Sequence, residues 1–299
     1  MVVASPSHRI GIVVTDFYPA EDPDHDTPLL LSALQERGVA AAPVVWHGDD
    51  DLTGFDLLVI RSPWDYPERA ADFAAWLDRA DAATRVLNPP PVVRWNLDKH
   101  YLRDLAGAGI AVVPTEYART DGDIRRALAA HGTGQVVVKP AVSAGARDTG
   151  LFDAADPAAR ALAQRIVAAG GVAMIQPEVP ELSAGAEKAL YAIGGHFTHA
   201  IAKGALLAPG GGLIGGVYVE HPEPVEATPA ERAFADDVLR AVAEVTAHDM
   251  PLYARIDTVD SAEHGLVVLE VELVEPALNL HVAPHVTGVV ADAIARAAG

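Results

Sequence analysis

The chain has 299 residues, 50% of them apolar and 21% charged. That is material for roughly two or three packed units, with no mark of extended disorder. There is no cysteine, which excludes disulfides, thiolate nucleophiles and zinc–thiolate sites, and a net charge of −19 repels nucleic acid and anionic membranes. Met1 to Pro6 carries no positive leader, the apolar run from Ile10 to Thr15 is too short for a signal core, and no stretch reaches membrane-span length. The expectation is a soluble cytoplasmic protein. Only four of the 22 basic residues are lysines (Lys99, Lys139, Lys188 and Lys203), so each is a candidate for a specific task.

The first segment reads as α/β. Strands are predicted at Arg9–Thr15, Ala41–Trp46, Leu57–Ile60 and Arg85–Leu87, separated by a helix over Leu29–Leu34 and another around Phe73–Leu77. Asp26 or Thr27 is the expected cap of the first helix, with Pro28 in its first turn and Gly38 at its end. Alternating strands and helices imply a parallel sheet, whose ligand crevice is built by the loops after its strands, here 16–26 and 61–66. The triple proline Pro89-Pro90-Pro91 reads as a boundary. Beyond it the pattern predicts a helix from Asn96 to Ala106 carrying Lys99, and strands at Ala111–Val113, Gln135–Lys139 and Val172–Gln176. A small-residue loop runs from Ser143 to Thr149, and a helix over Ala158–Ala169. The last third is β-rich, with strands at Lys188–Ile193, Phe197–Ala202, Tyr253–Val259 and Leu266–Val274. It also holds a glycine cluster at 210–216 and helices at Glu231–Ala247 and at the C-terminus.

Strand alternation places Glu270 and Glu272 on one face, with Leu269, Val271 and Leu273 on the other, and likewise groups Tyr253, Arg255 and Asp257. If these two strands form a hairpin, three carboxylates converge and need cations between them; hard oxygen ligands suit Mg²⁺ shared with a phosphate. The competing reading is two glutamates on a solvated sheet face. Lys139 ends a valine strand beside the Ser143–Thr149 loop, where Gly145 lets backbone N–H groups approach an anion and Arg147 adds a cation.

Together these residues resemble the ATP-grasp superfamily over roughly residues 92 to 280. Arg94-Trp95-Asn96-Leu97-Asp98-Lys99 resembles the segment opening the nucleotide site. Val136-Val137-Val138-Lys139-Pro140 resembles the phosphate-lysine strand, and Ser143 to Thr149 the phosphate-covering loop. Met174-Ile175-Gln176-Pro177-Glu178-Val179 resembles the adenine hinge, and Gly185-Ala186-Glu187 the acidic element after it. Ala254-Arg255-Ile256-Asp257 and Leu269-Glu270-Val271-Glu272 resemble the metal strands. The resemblance implies a mixed α/β and α+β architecture: an N-terminal parallel α/β (pre-ATP-grasp) domain at 1–91, a central lid subdomain at 92–179 and a C-terminal β-rich metal-binding subdomain at 180–299. It implies ATP and Mg²⁺ as cofactors. Lys99, Lys139, Ser143, Gly145, Arg147, Gln176, Glu178, Val179 and Glu187 would bind the nucleotide, with Glu181 an alternative to Glu187 at the ribose. Asp257, Glu270 and Glu272 would bind metal, and Arg255 and Lys203 would serve the transferred phosphoryl group. Two departures stand out: Glu272 occupies a position usually held by asparagine, and Pro177 removes a donor from the hinge.

At finer grain, Arg61-Ser62-Pro63-Trp64-Asp65-Tyr66, Val92-Val93-Arg94-Trp95-Asn96 and the 143–149 loop resemble a branch of small bacterial ATP-grasp proteins. Within that branch the chain is similar to the D-cycloserine synthetase family. The resemblance implies activation of the carboxylate of O-ureido-D-serine as an acyl phosphate and capture by a nitrogen of the same molecule, with loss of CO₂ and ammonia. Asp16, Tyr18, Asp24, His25, Trp64, Asp65 and Tyr66 lie in the loops where an amino-acid-like substrate would sit, Trp64 reading more as packing than as recognition. The rival readings are an intermolecular, dipeptide-type ligase, a nucleotide-binding regulatory protein without ligase activity, and a carbohydrate- or nucleic-acid-binding module, this last disfavoured by charge and by the want of an aromatic platform. No nucleic-acid or membrane partner is expected, and a homodimer is left open.

Overall fold

The computed structural model describes residues 8–20, 23–214 and 221–299; the call on Met1 to Pro6 and the glycine loop from Gly215 onward lie outside them. The β-branched runs of the first segment form β1 (Arg9–Val14), β2 (Ala40–Val45), β3 (Leu57–Ser62) and β4 (Arg85–Leu87), a wholly parallel sheet in the order β2-β1-β3-β4. All six residues of β3 are buried, as a strand covered on both faces must be. Gly11 of β1 is required by closeness: a Cβ there would lie 2.4 Å from Leu58 of β3. The helix α1 (Asp26–Glu36) buries Leu30 and Leu34 against one face, and α2 (Ala70–Ala83) buries Phe73, Trp76 and Leu77 against the other. The cap of α1 comes from Asp24, whose Oδ1 accepts from the N–H groups of Asp26 and Thr27, and not from Asp26 or Thr27. Asp26 is instead drawn inward to accept from Leu278 and Leu280.

The prolines read as a boundary open a helix: α3 (Pro90–Asn96) has Pro89 at its cap and proline in its first turn, where no N–H is needed. The chain breaks at Leu97 to His100 before α4 (Tyr101–Gly107), so the single helix expected over 96–106 is two short ones and Lys99 stands on the turn between them. The residues Ala111–Val113 form no strand of their own; they make an isolated bridge to Val268.

A second sheet follows, with β5 (Glu116–Ala118), α5 (Asp121–Ala130), β6 (Gln135–Pro140), β7 (Gly150–Asp153), α6 (Pro157–Ala168) and β8 (Ala173–Pro177). It is antiparallel in the order β5-β8-β6-β7, with α5 and α6 sharing its apolar core. After the short α7 (Pro180–Ser183) come β9 (Lys188–Ile193), β10 (His196–Ala202), β11 (Glu223–Val225), α8 (Pro229–Thr246), β12 (Tyr253–Ser261) and β13 (Gly265–Glu272). They form a third sheet, antiparallel in the order β11-β10-β9-β12-β13. One face packs on α4 and α8, the other on the first sheet's core, where α9 (Thr287–Ala298) lies beside α1. Among the described residues no helix is long and apolar enough to cross a membrane.

The strand β13 is a sheet edge, and its outward backbone groups need partners. The Asn96 amide donates to the Val271 carbonyl and accepts from Leu273 N–H, both at 2.7 Å, and Tyr101 accepts from Val271 N–H at 2.8 Å. Asn88, fully buried, bonds Leu252 N–H and the carbonyls of Tyr253 and Leu273. Replacing Asn88 by alanine orphans one buried donor and two acceptors. Denaturant unfolding should show a loss on the order of 3 kcal/mol.

Candidate active site

One pocket is walled by the second and third sheets, with Tyr66 reaching it from beyond β3, and its lining gathers charges: Lys99, Lys139, Lys203 and Arg255 face Glu187, Asp257, Glu270, Glu272 and Glu275. Three of the four lysines are therefore in the pocket; Lys188 instead holds Glu231 at 2.8 Å, at the start of α8. The hairpin of β12 and β13 brings its acids together by register, with Asp257 opposite Glu270 and Arg255 opposite Glu272. A bulge after Asp257 shifts the pairing, so that Leu269 also lines the pocket instead of facing away. The glutamates do not lie on a solvated face.

Among the described residues, four of these five acids are met by a cation, Glu275 being the exception. Arg255 Nε and Nη2 each lie 2.9 Å from the Asp257 carboxylate, and Nη2 also pairs with Glu272. Lys203, 6% exposed, bridges Asp257 at 3.0 Å and Glu187 at 3.1 Å. Lys99 bonds Glu270 at 2.9 Å and the Ser143 carbonyl at 2.7 Å, and its own N–H donates to Ala141, which ties the turn to the lid sheet. Burial alone would raise the Asp257 and Glu270 carboxyls, but Arg255 and Lys203 beside the first, and Lys99 and Lys139 beside the second, hold both below the ordinary carboxylate range. Glu272 is less well compensated: burial, reinforced by Asp257 and Glu270 against Arg255, pushes it up to about 8. Burial, with Lys99 alongside, lowers Lys139.

The acids fit a hard divalent cation in donor chemistry, and a cation there would offset the charges of Asp257 and Glu270 that add to the rise of Glu272. Among the described residues no three carboxylates or imidazoles form a ready cage, as expected of Mg²⁺, which takes one or two carboxylates and completes its shell with phosphate oxygens and water.

The loop residues Ser143 and Gly145 line the pocket, as do Gln176, Glu178 and Val179. The Gln176 side chain is engaged with Thr115, and the Glu178 N–H is used by the sheet through Gln135. Ser183, not anticipated from the sequence, also lines the pocket and donates to the Glu178 carboxylate. Glu181 is not in the lining; it accepts from Ala262 N–H. Arg147 does not reach the pocket either and pairs with Glu68 of the first domain at 3.0 Å.

Of the loop residues, Tyr66 reaches the pocket wall, whereas Asp16, Tyr18, His25, Trp64 and Asp65 stand outside it. Asp16 and Asp65 share His47, and Asp65 accepts from Trp46 Nε1 at 2.7 Å. Tyr18 bonds Ser62 and meets Trp64 edge-on, and the His25 ring contacts that of His281. Trp64 packs, with Nε1 donating to the Glu275 carbonyl at 3.0 Å. Glu275 is the pocket acid that the sequence reading passed over; its signal was an acid placed before Pro276 just past the metal strand.

Comparison with known proteins follows the same lines. A family profile described as the N-terminal domain of D-cycloserine synthetase DcsG matches residues 10–88. The cycloserine biosynthesis protein DcsG of Streptomyces lavendulae is 37% identical over 266 residues, covering 86% of this chain and 88% of that one. The crystal structure of D-cycloserine synthetase DcsG superposes with a TM-score of 0.89 at 33% identity, over 97% of this chain and 100% of that one. A RimK-domain ATP-grasp protein from Sphaerobacter thermophilus shares the fold, with a TM-score of 0.64 at 20% identity over 95% and 98% of the two chains.

Asp257→Asn would leave Arg255 and Lys203 short of a buried counter-charge. The expected loss is about 3–5 kcal/mol of stability, read by denaturant midpoint at neutral pH. Because the folded Asp257 carboxyl sits below its ordinary value of 3.8, the stability it contributes is complete above that value and fades as the pH falls through the lower folded value. The wild-type advantage over the variant should therefore shrink only in strong acid.

Proposed function

The chain belongs to the D-cycloserine synthetase family, and from that premise we propose that it is an ADP-forming cyclo-ligase acting on O-ureido-D-serine. The reading is carried by the ionic pocket, in which lysines and an arginine sit opposite acids on registered strands. Such a set suits phosphoryl transfer to a carboxylate, where positioning and charge neutralisation do most of the work.

In this reading Lys99 and Lys139 hold the α- and β-phosphates, with Ser143 and Gly145 covering them from the loop and Arg147 joining when the loop moves from Glu68. Adenine lies against Gln176, Glu178 and Val179. The Val179 N–H has no hydrogen bond among the described residues, which leaves it for the base despite Pro177. Glu187 faces the ribose. Asp257, Glu270 and Glu272 would hold Mg²⁺, which when bound offsets the charge of the β- and γ-phosphates. Arg255 and Lys203 would stabilise the phosphoryl group in transit and then the oxyanion of the adduct. The walls exclude water, which would otherwise hydrolyse the acyl phosphate. Asp16, Tyr18, His25, Trp64 and Asp65 shape the substrate's approach from the crevice of the parallel sheet. A three-part division at 1–91, 92–179 and 180–299, with α9 returning to cover the first part, would put this pocket where the parts meet.

The test is ADP release and D-cycloserine formation with Mg²⁺-ATP and O-ureido-D-serine, then its L-isomer, then pairs of amino acids. ADP with the single substrate is expected, and Glu270→Gln should lower it at least ~10²-fold. ADP only with amino-acid pairs would point to an intermolecular ligase, and no ADP with any of them would sink the ligase reading.

A further inference from the structure

Glu275 is a pocket carboxylate with no part in the roles above. It lies past the end of β13 and is 9% exposed, and burying an acid there is costly unless it is held. One segment holds it. The Tyr66 hydroxyl donates to its carboxylate, Trp64 Nε1 donates to its carbonyl, and Arg61, 2% exposed, donates to the carbonyl of Pro276. Arg61, Trp64 and Tyr66 belong to the 61–66 stretch singled out in the sequence.

We propose that Glu275 accepts the proton of the nitrogen that closes the ring, fixed for that task by the 61–66 segment; this rests on the cyclo-ligase reading. The nitrogen bonded to oxygen attacks the acyl carbon and a C–N bond forms. The C–O bond to phosphate breaks, its electron pair leaving on inorganic phosphate, and the N–H proton passes to the Glu275 carboxylate. The ring so formed still carries the carbamoyl group on that nitrogen, which water then cleaves to give D-cycloserine, CO₂ and ammonia. The charged and titratable groups around Glu275 fit this better than a seat for the substrate's ammonium. Lys99 comes from the α3–α4 turn, Arg255 from β12 and Glu270 from β13, Tyr66 caps one oxygen, and Arg61 and Tyr253 lie behind. Two cations so close disfavour a third. Burial pushes the carboxyl up to about 7 against Tyr66 and Lys99, with Glu270 adding to the rise, which suits a base working near neutral pH.

The experiment is a rapid quench of enzyme, Mg²⁺-ATP and O-ureido-D-serine into hydroxylamine, which converts acyl phosphate to hydroxamate, alongside D-cycloserine formation. In Glu275→Gln, hydroxamate should accumulate while ring closure falls on the order of 10²- to 10⁴-fold. Wild-type ring closure should decline below about pH 7. Tyr66→Phe, which keeps the carboxyl but removes the hydrogen bond that lowers it, should move that decline to higher pH, and this decides the matter if the glutamine variant does not fold. Ring closure by Glu275→Gln at the wild-type rate, loss of hydroxamate and product together in a folded variant, or an unmoved profile in Tyr66→Phe would overturn the assignment. Wild-type protein that yields neither ADP nor hydroxamate would instead overturn the cyclo-ligase reading and this step with it.

Discussion

No charge in the pocket can stand alone. An uncompensated ion buried there costs several kcal/mol, and the structure answers by pairing Asp257, Glu270 and Glu272 with a lysine or arginine. The surrounding architecture serves that pairing. The register of the hairpin sets Arg255 between Asp257 and Glu272. The break at Leu97 turns Lys99 toward Glu270, and the end of β10 delivers Lys203 to Asp257 and Glu187. The edge strand that carries two of the acids is held by Asn88, Asn96 and Tyr101 and by the bridge to Val112. The charges of the site are thus held by one another.

The sequence was most legible where local pattern and burial agree. The valine strand ending at Lys139, the alternation through Glu270 and Glu272, and the parallel order of the first sheet all follow from periodicity and short connections. The scarcity of lysine was itself a signal, since three of the four face the pocket. What escaped depended on contacts distant in sequence or on an irregularity. The bulge that turns Leu269 inward leaves the alternation of residue types unchanged. Ala111–Val113 has strand composition but meets only one residue of β13. The helix expected through Lys99 is interrupted where Asp98 accepts from His100 N–H, a local bond that competes with the helical one. Helix α5 was passed over although Thr120 and Asp123 form a reciprocal cap at its start.

The loops about the pocket join bodies that the sheets keep apart. Gly210 and Gly211 pair with Leu151, so the segment after β10 extends the edge of the lid sheet. Arg147 carries the small-residue loop across to Glu68, in the same segment whose neighbours clamp Glu275. The 143–149 loop is thereby tied to the segment after β3. The link is an exposed ion pair, weak enough to exchange with solvent.

The helix α9 covers the same face of the parallel sheet as α1, its Val290, Ala291 and Ile294 buried against the core that Ile10 and Leu57 begin. The first domain is thus composed of both early and late parts of the chain. During synthesis β1 to β4 and α1 emerge long before α9, so this face gains the last of its cover only when residues 287–298 leave the ribosome. The same arrangement means that a nick or truncation ahead of α9 would open the core opposite the pocket while leaving every ionic residue of the site in place.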